Sequence, residues 1–180
     1  CAAAGMIIGI VTKTGVGLKL ASVLVGMANG NEIILLFCTM LTSLILGMGV
    51  PTTANYVITS TIAAPALIGL GVPILAAHMF VFYFGIIADI TPPVALAAYA
   101  GAAISGGDPL KTGVNASKLG IAAFIVPYVF VLSPALLGIH ASAGQVIMTT
   151  ITALIGMVGI SSAMIGYLYR RLNAIERLII

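Results

Sequence analysis

Two stretches of this sequence place chemistry-bearing backbone inside long apolar runs. The first is Gly47-Met48-Gly49-Val50-Pro51-Thr52-Thr53-Ala54-Asn55 and the second is Asp89-Ile90-Thr91-Pro92-Pro93. Glycine weakens a helix and proline lacks the N–H that a helix needs, so both stretches must interrupt helical backbone. Carbonyls freed at such a break cost several kcal/mol in an apolar medium unless they find a partner. The first stretch offers those carbonyls, the Thr52 and Thr53 hydroxyls and the Asn55 amide. The second offers carbonyls, the Thr91 hydroxyl and the Asp89 carboxylate. Oxygens of this kind suit a hard, partly dehydrated monovalent cation such as Na⁺. Helices restarting near Thr53 and Val94 would aim positive dipole ends at the same region and favour an anionic substrate. Asp89 is the sharpest single residue, because a carboxylate within a membrane segment is by default a functional candidate.

The elements that must position these residues follow from composition. Of 180 residues, 61% are hydrophobic and 6% charged. A soluble domain carries about a quarter of its residues as charges. A soluble enzyme, a nucleic-acid-binding domain and a disordered chain are therefore excluded, and the lipid bilayer is the solvent. The net charge of +3 is the ordinary Lys and Arg excess that orients membrane segments.

No charge lies between Glu32 and Asp89, or between Lys118 and Arg170. Each gap exceeds the roughly 20 residues of one span, so the chain must fold back within it. Glu32–Leu46 and Tyr56–Leu70 each predict a helical arm of about 15 residues, roughly 22 Å. That falls short of the hydrocarbon thickness, and the pair reads as a re-entrant hairpin with a polar tip. Ile74–Ser105 is split into half-helices, Ile74–Ala88 and Val94–Ser105. Asp108 is placed to cap a helix with Pro109 at its first position. Leu110–Lys118 reads as an amphipathic surface helix, and Gly15–Gly30 as a similar piece. Leu119–Leu137 and Ala143–Tyr169 read as spans joined by a turn at 138–142, with Tyr167, Tyr169, Arg170 and Arg171 as an interfacial anchor.

The expected fold is an all-α membrane protein: a helical bundle with a re-entrant helical hairpin and a discontinuous transmembrane helix. Residues 1–30 would be the end of a membrane helix plus a connecting segment, with Cys1 to Val11 a helix entered midway. Residues 31–105 would hold the hairpin (31–70) and the broken helix (74–105), 106–118 an arm, and 119–180 scaffold helices and the start of a further segment. The apolar ends read as those of a fragment. Lys13 and Lys19 share one face with the hairpin ends. Lys111, Lys118, Arg170, Arg171 and Arg177 occupy the other, which the positive-inside rule makes cytoplasmic.

The remaining candidates read as structural. His78 is a packed or interfacial side chain, His140 a solvated turn residue, and Cys1 and Cys38 small hydrophobes. Glu32, beside Asn31, favours the dipole of the first arm. Gly156, Gly159 and Gly166 suggest close helix packing. No catalytic triad, HExxH, Walker loop or Rossmann pattern stands in a usable context, so no enzyme is expected.

Leu46-Gly47-Met48-Gly49-Val50-Pro51-Thr52-Thr53-Ala54-Asn55-Tyr56 resembles the hairpin tip of the large membrane subunit of tripartite ATP-independent periplasmic (TRAP) transporters. Ala88-Asp89-Ile90-Thr91-Pro92-Pro93-Val94-Ala95 resembles the interrupted helix that follows it there. Gly106-Gly107-Asp108-Pro109 with Lys111 looks like the connector of the fused-permease branch, which Ala2-Ala3-Ala4-Gly5 and Gly15-Val16-Gly17-Leu18-Lys19 also fit. The likeness runs over most of residues 1–137.

The resemblance implies the C-terminal inverted repeat of a permease, without its N-terminal partner repeat and unable to transport alone. It implies import of organic acids, such as C4-dicarboxylates, across the bacterial inner membrane by a multi-pass protein. The solute would be delivered by a periplasmic substrate-binding protein, with Na⁺ as coupling ion and no other cofactor. The motion would be an elevator, with 119–137 and 143–169 as scaffold and 108–118 as the connecting arm. It implies one cation site from Gly47, Gly49, Val50, Pro51 and Thr52 at the tip with Asp89, Thr91 and Pro92 at the break. Thr53, Asn55 and Thr91 would touch substrate. A second cation site and part of the substrate site would come from the absent repeat. No arginine lies in the transport segments, so a substrate carboxylate would rely on helix ends and hydroxyls. A proton-coupled transporter using Asp89 and a non-transporting structural subunit are the alternative readings.

Overall fold

The computed structural model describes residues 6, 10, 13–28 and 31–179. The helix expected over Cys1 to Val11 and the Ala2–Gly5 motif fall mainly or wholly outside them. The chain divides into two compact units, Cys1–Asp89 and Ile90–Ile180. The described residues are helical apart from turns and one isolated bridge between Tyr167 and Arg171.

The first unit holds α1 (Val16–Ala28), α2 (Glu32–Gly47), α3 (Thr52–Ile62), α4 (Ala64–Gly69) and α5 (Ile74–Ile87). Asn31 starts α2: its Oδ1 accepts from the backbone N–H of Ile33 at 3.0 Å and of Ile34 at 3.3 Å, satisfying two of the four orphan donors of a helix N-terminus. The helix stops where Met48 turns extended, and Gly49, at φ +74°, reverses the chain. The second arm begins at Thr52, earlier than expected, and is two helices rather than one. Ala63 lies between them and Pro65 stands in the first turn of α4, where its missing N–H is tolerated. Both arms pack on each other and on α5, and α1 packs on the arms.

The core of this unit is apolar and dense. Leu35, Leu36, Leu67, Phe80, Val81 and Phe84 are fully buried, and the Phe80 and Phe84 rings meet edge-on at 4.8 Å between centroids. The outer face of α2 is apolar as well: Ile33 is 66% and Ile45 62% exposed. A helix apolar on both faces fits a lipid surround.

The 3₁₀ turn Ala88–Ile90 follows α5. In the second unit, Thr91–Ala95 is non-helical and α6 (Leu96–Ser105) starts two residues later than expected, after Ala95 takes a left-handed conformation at φ +35°. Gly106, at φ +71°, ends α6. Asp108 then caps α7 (Pro109–Leu119) as the sequence predicts: its Oδ1 accepts from the Lys111 N–H at 2.8 Å. Next come α8 (Ile121–Leu132), bent by 42° from α7, and the 3₁₀ turn Pro134–Leu137. The single span expected over Leu119–Leu137 is therefore two pieces. Pro134 disfavours helical geometry in Ser133, which sits at φ −138° and ψ 77°.

A capping box of Ser142 and Gln145 opens α9 (Ala143–Ile165), which Gly166 ends at φ +77°. At 23 residues it is the one helix among the described residues long and apolar enough to cross a membrane by itself. The last helix is α10 (Ala174–Ile179). From it, Arg177 donates to the Ala163 carbonyl at 2.7 Å and the Met164 carbonyl at 2.8 Å, satisfying end carbonyls of α9.

Candidate functional site

The turn between α2 and α3 brings opposite helix ends side by side. The C-terminus of α2 presents carbonyls and the negative end of its dipole; the N-terminus of α3 presents N–H groups and the positive end. Pro51 stands at the cap position of α3 and supplies no side-chain cap. Pro51, Thr52 and Thr53 are exposed, as is Gly49, while Val50 is half-buried. An anion can reach the α3 N-terminus at Thr52 and Thr53.

Beneath the tip lies Asn55, which the resemblance would have touch substrate. It is 1% exposed. Its Nδ2 donates to the Gly85 carbonyl at 2.8 Å. Gly85 lies in the last turn of α5, where carbonyls run short of helical partners. Two glycines make room for this bond. A Cβ at Gly47 or at Gly85 would stand 2.7 Å from Asn55 Nδ2, and the Gly47 one also 2.9 Å from the Ala88 Cβ and 3.1 Å from the Gly85 carbonyl oxygen. The C-termini of α2 and α5 are thus drawn together around one side-chain amide. Two negative dipole ends converging on neutral oxygens make a place that favours a cation.

Among the described residues, three buried side-chain oxygens, all in this unit, have no hydrogen-bond partner: Thr39 Oγ1, Ser43 Oγ and Asn55 Oδ1. Thr39, Ser43 and Gly47 follow one another at four-residue spacing on α2, so they form a single line that ends at the Asn55 amide. Thr42, on another face of α2, bonds the Cys38 carbonyl at 2.9 Å, the usual fate of a helix hydroxyl. Asp89, half-buried, sits in the 3₁₀ turn that ends the unit. His78 is packed: its Nδ1 lies 3.0 Å from the Tyr56 hydroxyl, and their rings pack edge to face.

Thr91 and Pro92 belong to the second unit. There the break is closed by its own surroundings. The Ile90 carbonyl accepts from Ser117 Oγ at 3.0 Å, the Thr91 carbonyl from the Ala95 N–H at 3.1 Å, and the Pro93 carbonyl from the Tyr99 hydroxyl at 2.7 Å. The freed carbonyls of Ile90, Thr91 and Pro93, expected to line a cavity or bind something, are thus satisfied locally. Sequence reasoning missed Ser117 and Tyr99. The signal for Ser117 was the small-residue spacing Gly113–Ser117–Gly120, which marks the inward face of α7.

No three His, Cys, Asp or Glu side chains cluster among the described residues. A cation in the first unit would be held by carbonyls, hydroxyls and at most one carboxylate. Compared with protein families, residues 1–145 match the one described as tripartite ATP-independent periplasmic transporter, DctM component. No curated protein and no solved structure matches the chain.

Proposed function

Since the chain belongs to the DctM-component family of tripartite ATP-independent periplasmic transporters, we propose that its first unit is the ion- and substrate-handling part of a Na⁺-coupled permease for organic acids. The family is one of secondary transporters that work in bacterial membranes with a periplasmic binding protein. Beyond that, α2 to α4 are read as a re-entrant hairpin, α5 and α6 as halves of one discontinuous span, and the working motion as an elevator against a scaffold. The first unit would pair with a repeat carried elsewhere in the permease.

One observation carries the proposal. The Asn55–Gly85 bond ties the exposed, uncapped first turn of α3 to the C-terminal end of α5, and Gly47 at the end of α2 packs against the same amide. A cation is favoured at the C-terminal ends and a carboxylate at the α3 N-terminus, so one hairpin suits both members of a symported pair. Gly47, Gly49, Val50, Pro51 and Thr52 would hold the ion, with Asp89 nearest the end of α5. Thr53 would meet the substrate carboxylate. Asn55, being buried, acts as the tie between hairpin and α5, with its Oδ1 turned to the ion or its water. A C4-dicarboxylate is the substrate class put forward.

Uptake by the complete permease with its binding protein tests this, with Na⁺ replaced by choline at fixed pH. Uptake should collapse. Undiminished uptake in choline would remove the sodium reading, and a dependence on proton gradient alone would transfer the role to Asp89.

A further inference from the structure

α7 turns one face inward and leaves the other bare. A Cβ at Gly113 would meet Pro92 and Tyr99 at 3.3 Å each, so this side is packed against the 90–99 segment. On the other side, Leu110, Lys111, Val114, Asn115 and Lys118 line an open groove of about 380 Å³. A second cavity of about 240 Å³ adjoins it, sharing Val114 and Lys118. Its further walls include Pro92, Ile121, Phe124 and Met164. One recess therefore carries two ammonium groups and an amide, and its neighbour is walled mainly by hydrocarbon.

Lys111 and Lys118 stand two turns apart, about 10 Å along the axis. Neither makes an ion pair among the described residues. Leu110 is 62% and Leu119 68% exposed, so the lysine stems run along apolar surface. We propose that this face of α7 binds an anionic phospholipid. The phosphate lies between Lys111 and Lys118 with the Asn115 amide donating to it, and an acyl chain enters the slot beside Phe124 and Met164. The paired charges and the apolar slot select this ligand together. A zwitterionic lipid brings an ammonium that the two lysines repel, and a soluble phosphate leaves the slot unfilled. The bound chain would touch Pro92, which ties lipid occupancy to the break after Asp89. The inference rests on the membrane setting of the family and not on sodium coupling, so either can fail alone.

Native mass spectrometry of the intact permease in mild detergent tests it, with phosphatidylglycerol or phosphatidylcholine added. The wild-type protein should hold phosphatidylglycerol at least tenfold more tightly than phosphatidylcholine. Each lysine should contribute about fivefold, so K111Q/K118Q should lose about 25-fold in phosphatidylglycerol affinity, and K111R/K118R should keep it. Millimolar glycerol 3-phosphate should not displace the lipid. Equal affinity for the two lipids in the wild-type protein overturns the proposal without any variant. So does undiminished binding by K111Q/K118Q, and displacement by glycerol 3-phosphate would assign the groove to a soluble phosphate instead.

Discussion

The two interrupted regions of this chain carry similar polar residues and treat them in opposite ways. At the 90–95 break, the Ser117 and Tyr99 hydroxyls donate to the Ile90 and Pro93 carbonyls. Three hydroxyls of α9 are equally quiet: Thr150, Thr152 and Ser162 each donate to the carbonyl four residues back, at 2.7, 3.0 and 2.6 Å. In the hairpin unit, Thr39, Ser43 and Asn55 keep buried oxygens with no partner, and α3 begins without a side-chain cap. An unpaired buried hydroxyl costs about 1–3 kcal/mol. The hairpin unit satisfies Thr42, Thr59 and Thr61 in the same way as α9 does its hydroxyls, so its three unpaired oxygens stand out, and the proposed ion site lies beside them.

That contrast can be broken or sharpened by substitution in the intact permease. The largest effect is expected at Phe84, fully buried in the hairpin unit. Phe84→Ala should cost about 3–5 kcal/mol in detergent unfolding, whereas Ile155→Ala, at a position 67% exposed on α9, should stay within about 0.5 kcal/mol. Next are the residues of the tie. Asn55→Leu leaves the Gly85 carbonyl without its donor, and Gly85→Ala drives a methyl into the amide. Each should cost about 1–3 kcal/mol and sharply reduce uptake.

A smaller but more telling effect is expected from Thr39→Val with Ser43→Ala. Removing each orphan hydroxyl should raise stability by about 1 kcal/mol while weakening sodium-dependent uptake. Ser162→Ala should alter neither by more than experimental scatter. If the Thr39/Ser43 variant transports with an unchanged sodium midpoint, the line of hydroxyls is packing and the contrast loses its functional meaning. Smallest of all, Ser117→Ala and Tyr99→Phe should each destabilise the 90–99 segment by about 1 kcal/mol and leave the sodium midpoint in place.

Much of this was legible in the residue order. Interruptions inside 47–55, where the helix is lost only over 48–51, and close to 89–93, where it is lost over 91–95, follow from local rules about glycine and proline, as the Asp108–Pro109 helix start follows from capping. What was not legible required knowing which helices touch. Asn55 reads from the sequence as one more polar residue near an exposed tip. Only the approach of α5, permitted by Gly47 and Gly85, turns it into an interior tie. Ser117 looks like a surface hydroxyl on an amphipathic helix until Gly113 and Gly120 let that helix lie on the break. The stretch read as one span over 119–137 is interrupted at Ser133, where Pro134 disfavours helical geometry; a bend there follows from the proline, but its position and size do not.

On the proposed function, the ends of α2 and α5 that meet at the Asn55 amide favour a sodium ion. Thermal unfolding of the intact permease, with NaCl titrated against choline chloride at constant ionic strength, tests it most directly. Sodium should stabilise the wild-type protein, by about 2.7 kcal/mol at a hundred times its dissociation constant. The midpoint should move about tenfold higher in Asn55→Leu and stay put in Ser162→Ala. Identical unfolding in sodium and choline, or a midpoint unmoved by Asn55→Leu, would contradict the account.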